Sequence, residues 1–217
     1  MSGWGKAGIA FVAGFAVAAL PLGVIVARAA RNIDIRRYGT GNIGAYNVWQ
    51  NVGLRPAAFV AVGTFLQGLL PPLAAGLLFG SDAAVAAAAV GAVLGYAFTP
   101  YLAFRGGRAI GVSTGAATAL YPPGLLVLLA CYGLGALSRR LAPGVLVGLC
   151  AYVVVVFVAR PSAAERAAAA AILAVVLWRR LEGVRQDLGG TDSRAVFLAR
   201  LIHDRRPGQR LSGPMHG

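Results

Sequence analysis

The chain is 217 residues long, 58% hydrophobic and only 12% charged, with 20 basic residues against 7 acidic and a net charge of +13. Soluble domains carry about 25% charged and about 45–50% apolar residues, so this balance excludes an ordinary soluble domain and indicates an integral membrane protein. The same apolar content turns the positive charge away from nucleic acid and towards the cytoplasmic face of a membrane with its anionic headgroups.

A bilayer core about 30 Å thick takes about 20 apolar residues as a helix. Residues 7–30 meet that length, with Pro21 and Gly23 in the second half. Only Lys6 precedes this run and no small-residue cleavage site follows, so it reads as an anchor and not as a removed signal peptide. The polar stretch 32–50 comes next. Residues 56–80 form the expected second span, with Pro71-Pro72 as a kink, and Ser81-Asp82 is a tight exit. The third span, 83–98, is rich in alanine and glycine and suited to close helix contact.

A second polar loop, 99–108, leads into a short fourth span at 109–121 and, after Pro122-Pro123, a fifth at 124–137. The basic turn Ser138-Arg139-Arg140 precedes a sixth span at 141–159, and the seventh follows at 163–178. Cys131 and Cys150 lie inside apolar runs, make no metal-ligand spacing and read as small buried hydrophobes. The expectation is an all-α helical bundle of seven spans over residues 1–178, with a basic tail at 179–217. In that tail Thr191 caps a short helix whose Val196, Phe197, Leu201 and Ile202 oppose Arg194 and Arg200, a pattern that lies on a membrane surface.

Seven spans put the two ends on opposite sides. With the N-terminus outside, Lys6, Arg160 and Arg166 are external and the other 17 of the 20 basic residues face the cytoplasm. A single span over 109–137 would make six, and would place the tail outside against the charge. No span carries a clear mid-membrane ionisable residue, which argues against a transporter.

The stretch Gly39-Thr40-Gly41-Asn42-Ile43-Gly44 matches G-x-G-x-x-G in form only. The dinucleotide reading needs a strand before it and an acid about 20 residues on. Here a membrane helix precedes it, and the next acid, Asp82, falls on the other side of the membrane. What survives is the physics: closely spaced glycines let backbone N–H groups converge on an anion, and a helix starting near Gly44 adds its N-terminal field. Arg36 offers a fork to two phosphate oxygens, and Asn42 and Asn47 are further donors. A tight turn held by Asx bonds is the competing account of this loop. The second loop repeats the recipe with Arg105, Gly106, Gly107 and Arg108, where a plain positive-inside loop competes. Two such loops at one interface favour a phosphorylated, membrane-associated substrate.

These residues carry a resemblance. Asp34-Ile-Arg36, Gly39-Thr40-Gly41-Asn42, Gly44-Ala45 and Asn47-Val48 resemble the first signature of the bacterial acyl-phosphate:glycerol-3-phosphate acyltransferases. Residues 95–108, continuing to Gly115, are similar to the second, including its Gly-Gly-basic step. The resemblance covers essentially the whole chain. It implies a multi-pass enzyme of the bacterial plasma membrane, active at the cytoplasmic face in phospholipid synthesis. Acyl phosphate would give its acyl chain to glycerol-3-phosphate or a related polyol phosphate, with no metal, cofactor or nucleic acid involved. It assigns Arg36, Gly39, Gly41, Gly44, Asn47, Gly106 and Gly107 to the substrate phosphate, and Arg108, Thr40 and Asn42 to catalysis.

The chain departs from the family pattern at polar positions. Thr40 stands for a serine, Tyr46 for a threonine, Gln50 for an arginine and Ala19 for a serine of the first span. Thr64 and Gln67 replace an Asp and a Lys, Tyr96 a histidine and Arg108 a lysine. The third signature's serines fall at Ala142 and Val145, and a final His and Asn meet Arg179 and Glu182 on one alignment. A guanidinium holds charge but does not act as a base. The alternative reading is therefore a catalytically weak homologue that binds a phosphorylated lipid or a membrane partner.

Overall fold

The computed structural model describes residues 2–138, 140–160 and 162–182, and among them all regular structure is helical. The first apolar run is two helices and not the single expected one. α1 (Gly3–Ala18) stops short of Pro21, and α2 (Leu22–Arg31) starts just after it. Proline has no N–H to continue the ladder, so the break leaves carbonyls inside an apolar bundle. Two distant side chains meet them. Gln67 donates to the carbonyls of Val17 at 3.1 Å and Leu20 at 3.0 Å, and the Thr99 hydroxyl donates to Ala19 at 2.5 Å.

After α2 the polar loop passes through a short 3₁₀ turn (Ile35–Arg37) into α3 (Ala45–Asn51), which starts at Gly44 as expected. α4 (Leu54–Phe79) runs unbroken through Pro71 and Pro72, both buried, where the sequence suggests a kink. α5 (Asp82–Ala97) is the central helix and packs on α1, α4, the eleven-residue α6 (Ile110–Leu120) and α9 (Ala163–Leu181). α7 (Gly124–Leu137) and α8 (Leu141–Ala159) pair with each other, and α8 also touches α9.

Glycine sets how closely these helices approach. A methyl group on Gly14, Gly91 or Gly95 would strike the backbone of the opposite helix in the α1–α5 seam, at Ala88, Phe11 and Phe15 respectively. Gly68 and Gly115 do the same for α4 and α6. Small residues at helix contacts are how membrane bundles gain van der Waals packing without a hydrophobic drive. The third apolar run thus packs as its composition suggests.

Among the described residues, four stretches are long and apolar enough to cross a membrane: Gly3–Arg31, Leu54–Phe79, Asp82–Leu102 and Leu141–Ala159. The split at Pro122-Pro123 exists, but the α6 and α7 that flank it are shorter apolar helices of 11 and 14 residues. α9 is 19 residues long and carries Glu165, Arg166, Arg179 and Arg180 at its ends. Cys131 is only partly buried and Cys150 is exposed on the outer surface of α8. This corrects the reading of both as buried: the apolar runs containing them are helices with a lipid-facing side. The tail beyond Glu182, with its expected surface helix, lies outside the described residues.

Candidate active site

The first polar loop is wrapped around one side chain. Asn47, buried at 1% exposure, points from α3 into the turn that precedes it. Its Oδ1 accepts the Thr40 N–H at 3.0 Å, and its Nδ2 faces the carbonyls of Ile35, Tyr38 and Asn42 at 3.1, 3.0 and 2.8 Å. Asn51 adds a bond to the Asn47 Oδ1 at 3.0 Å. Gly39 and Gly41 lie at φ +52 and +70, and a Cβ on Gly39 would collide with the amides of Asn47 and Asn51. Asn47 is therefore the organiser of the loop, its amide engaged with the chain around it.

Two other polar side chains of the loop, Thr40 and Asn42, are only partly buried. The Thr40 hydroxyl accepts the Asn42 N–H at 3.3 Å. Asn42 uses Oδ1 to accept the Arg108 N–H at 3.4 Å, leaving its NH₂ available.

Arg36 is placed differently from the free fork that the sequence suggests. Its Nε and Nη2 clasp Asp34 at 2.9 and 2.6 Å, while Nη1 is left over. This pairing holds the Asp34 carboxyl down to about 2, chiefly through the hydrogen bonds from the Arg36 side chain, and raises the guanidinium in turn. The pair is solvated, with Arg36 39% exposed, so it orients the guanidinium more than it stabilises the fold.

The second loop turns back after Thr99, with Ala103, Phe104 and Ala109 all at positive φ. The Gly106 N–H donates to the carbonyl of Ala97 at 3.2 Å. A Cβ on Gly107 would meet the Tyr96 ring at 2.5 Å and Ile43 at 3.0 Å, so this glycine allows the two loops to touch. The fold thus brings Thr40, Asn42, Gly107 and Arg108 together, although Asn42 and Arg108 are 66 residues apart. Arg36 stands to one side with Asp34, and no hydrogen bond among the described residues joins it to the second loop.

Sequence reasoning set Arg179 at the position of a family histidine on one alignment and left it out of the site residues. It reaches from the end of α9 to the carbonyls of Gly106 at 2.6 Å and Gly107 at 3.3 Å, and its guanidinium lies 5.4 Å from the Phe98 ring centroid. Its place in the sequence, just after the last apolar run, looked like a positive-inside charge. Gln67 had a visible signal, a lone amide in mid-span, but its carbonyl partners lie 47 and 50 residues away. Among the described residues no group of three His, Cys, Asp or Glu side chains could hold a metal ion.

The sequence model of the glycerol-3-phosphate acyltransferase family matches residues 8–188. The chain belongs to this family. It is similar to glycerol-3-phosphate acyltransferase 1 of Deinococcus radiodurans, with 35% identity over 86% of this chain and 94% of that one. It is also 34% identical to the enzyme of Rubrobacter xylanophilus, over 82% of this chain and 90% of the relative. Crystal structures of PlsY (YgiH), an integral membrane glycerol 3-phosphate acyltransferase, share the fold. The glycerol 3-phosphate form superposes with a TM-score of 0.76 at 24% identity, covering 85% of this chain and 92% of that one. The lysophosphatidic acid form gives 0.74 at 23%, covering 88% and 98%. The family match spans both polar loops, α9 and Arg179, so the whole site lies within the shared region.

Proposed function

We propose that this member of the glycerol-3-phosphate acyltransferase family transfers an acyl chain from acyl phosphate to the hydroxyl of glycerol-3-phosphate, forming lysophosphatidic acid at the cytoplasmic face of a bacterial plasma membrane. The observation that carries the site is the Asn42–Arg108 contact, which joins two glycine- and arginine-bearing loops into one polar surface. Thr40, Asn42, Gly107 and Arg108 receive phosphate oxygens there, with the Nη1 of Arg36 at the edge. Gly39, Gly41, Gly44 and Asn47 set the shape of the first loop, and Gly106 that of the second.

The acceptor hydroxyl oxygen attacks the acyl carbonyl carbon. The bond from that carbon to the phosphate oxygen breaks, and inorganic phosphate leaves with the electron pair. The hydroxyl proton passes to a phosphate oxygen, because Arg108 stays protonated and serves only to hold charge. The N–H groups and the Asn42 NH₂ balance the negative charge that develops as phosphate departs.

The reading retains seven crossings, with the N-terminus outside and the basic end of α9 inside. α6 and α7, joined at Pro122-Pro123, are shorter than a straight crossing requires, and packing on α4 and α8 supports each of them. Residues 1–178 form the catalytic unit and 179–217 a basic tail.

Purified protein reconstituted in lipid, given acyl phosphate and glycerol-3-phosphate, is expected to release phosphate and lysophosphatidic acid in equal amounts. Absence of both products across several polyol-phosphate acceptors, with ligand binding retained, would leave a binding protein and not an enzyme. Selective labelling from outside of a cysteine placed at Ser2, in a background lacking Cys131 and Cys150, tests the orientation.

A further inference from the structure

The clearest feature outside the loops themselves is the way α9 grips the second of them. Arg179 has a side chain only 9% exposed, and all its nitrogens are engaged. Nη2 and Nε go to the Gly106 and Gly107 carbonyls, Nη1 to the carboxylate of Glu182, and the flat face lies over Phe98. Arginine suits this task because one rigid fork reaches two acceptors and stacks on a ring at once, which a lysine ammonium does not.

The consequence follows from peptide geometry. In a trans peptide the C=O and the following N–H point in opposite directions, and no peptide in the described chain is cis. With the Gly106 and Gly107 carbonyls turned towards Arg179, the N–H groups of Gly107 and Arg108 are turned away from it. The Arg108 N–H indeed reaches Asn42 on the first loop. Gly107 and Gly106 are tightly enclosed by Tyr96 and Ala97, so the grip is transmitted without slack.

We propose that Arg179 is a positioning residue for acyl transfer: it clamps two carbonyls of the second loop so that, on the opposite edge, the Gly107 amide faces the substrate phosphate and the Arg108 amide ties down Asn42 of the first loop. This rests on the acyltransferase reading above. Arg179 itself touches no substrate in this scheme and is not a catalytic residue.

The test uses full-length Arg179→Ala and Arg179→Lys in lipid nanodiscs, with acyl phosphate and glycerol-3-phosphate. Arg179→Ala is expected to raise the KM for glycerol-3-phosphate and lower kcat, with kcat/KM falling about tenfold or more, as misplaced groups do. Arg179→Lys keeps the charge and is expected to recover little. Guanidinium ion added at millimolar concentration is expected to restore part of the turnover of Arg179→Ala while leaving the parent unaffected. Parent-like kinetics in Arg179→Ala would overturn the clamp, as would full activity in Arg179→Lys, which would reduce the role to charge. Should Arg179→Ala fail to fold, Arg179→Lys decides alone.

Hydrogen exchange over residues 104–109 is a readout independent of turnover. If the parent is inactive, the functional reading fails, and faster exchange in Arg179→Lys still supports the clamp. Unchanged exchange overturns it.

Discussion

Asn42 and Arg108, 66 residues apart in the chain, meet through a hydrogen bond from the Arg108 N–H to the Asn42 Oδ1 at 3.4 Å. The contact divides the labour within one amide: the oxygen binds the loops together and the nitrogen is left for the phosphate in the proposed reaction. Asn42→Ala removes both functions, and loss of a hydrogen bond to a charged group is worth about 1.5–3 kcal/mol. A rise of about tenfold or more in the KM for glycerol-3-phosphate is therefore expected. Asn42→Asp keeps the acceptor but replaces the donor with a charge that repels phosphate, so its KM should rise further. Steady-state kinetics over a range of acceptor concentrations decide the order.

Asn47 offers a contrast, because its amide is turned inwards. Asn47→Ala strands the Thr40 N–H and the Asn42 carbonyl, each orphan costing about 1–3 kcal/mol, and leaves the Ile35 and Tyr38 carbonyls with their backbone donors alone. Gly39→Ala strikes the same amide and adds strain at a positive φ. Both variants are expected to lower the melting temperature of the purified protein as well as its activity. A loss of activity alone in Asn47→Ala would instead make the residue a direct phosphate ligand.

How much of this was legible in the sequence depends on the range over which each residue acts. Apolar run lengths located the helices to within a few residues, since burial in lipid depends on local composition. The break at Pro21 is also local, but its repair is not. Gln67 and Thr99 find their carbonyls 47 to 80 residues away, and nothing in the periodicity of α4 or α5 signals that. The loops were visible as glycine and arginine between apolar blocks. The partners within them were not: Arg36 turned to Asp34, Asn47 inwards, and Arg179 entered from the opposite end of the chain. Composition marks a polar site, and hydrogen-bond direction assigns the roles within it.

The Asp34–Arg36 pair gives a pH dependence with a defined sign. The folded carboxyl lies at about 2, below its ordinary 3.8. A depressed carboxylate contributes stability that is complete above the unfolded value and disappears as pH falls through the folded one. The difference in melting temperature between the parent and Asp34→Asn is thus expected to be constant from neutral pH down to about 5, then to shrink between about 4 and 2. Because the pair is solvated, added salt should reduce the difference at pH 7. A difference that grows on acidification would contradict the pairing.

Repair of the α1–α2 break predicts what Gln67 does. Gln67→Leu fits an apolar span better by composition, yet it leaves the carbonyl of Val17 without a donor, and that of Leu20 with the Leu22 N–H alone, in a region that excludes water. At about 1–3 kcal/mol for an orphaned group, the balance favours glutamine, and the leucine variant should melt at a lower temperature in detergent and in nanodiscs. Equal or higher stability would show that other donors take over at the break.

The α1–α5 seam makes a prediction with an internal control. A methyl group on Gly91 or Gly95 would run into the backbone of Phe11 or Phe15, which has no side-chain freedom with which to yield. Gly133 lies in the interior of α7 with nothing within 4 Å of the same position. Alanine in place of a helical glycine is intrinsically favourable by about 0.5–1 kcal/mol where space allows. Gly133→Ala should therefore be neutral or stabilising, whereas Gly91→Ala and Gly95→Ala should destabilise by about 1–3 kcal/mol, the usual cost of overpacking. Thermal unfolding of the three variants under one detergent condition separates them. A common shift for all three would mean that helix propensity, and not the closeness of α1 to α5, governs these positions.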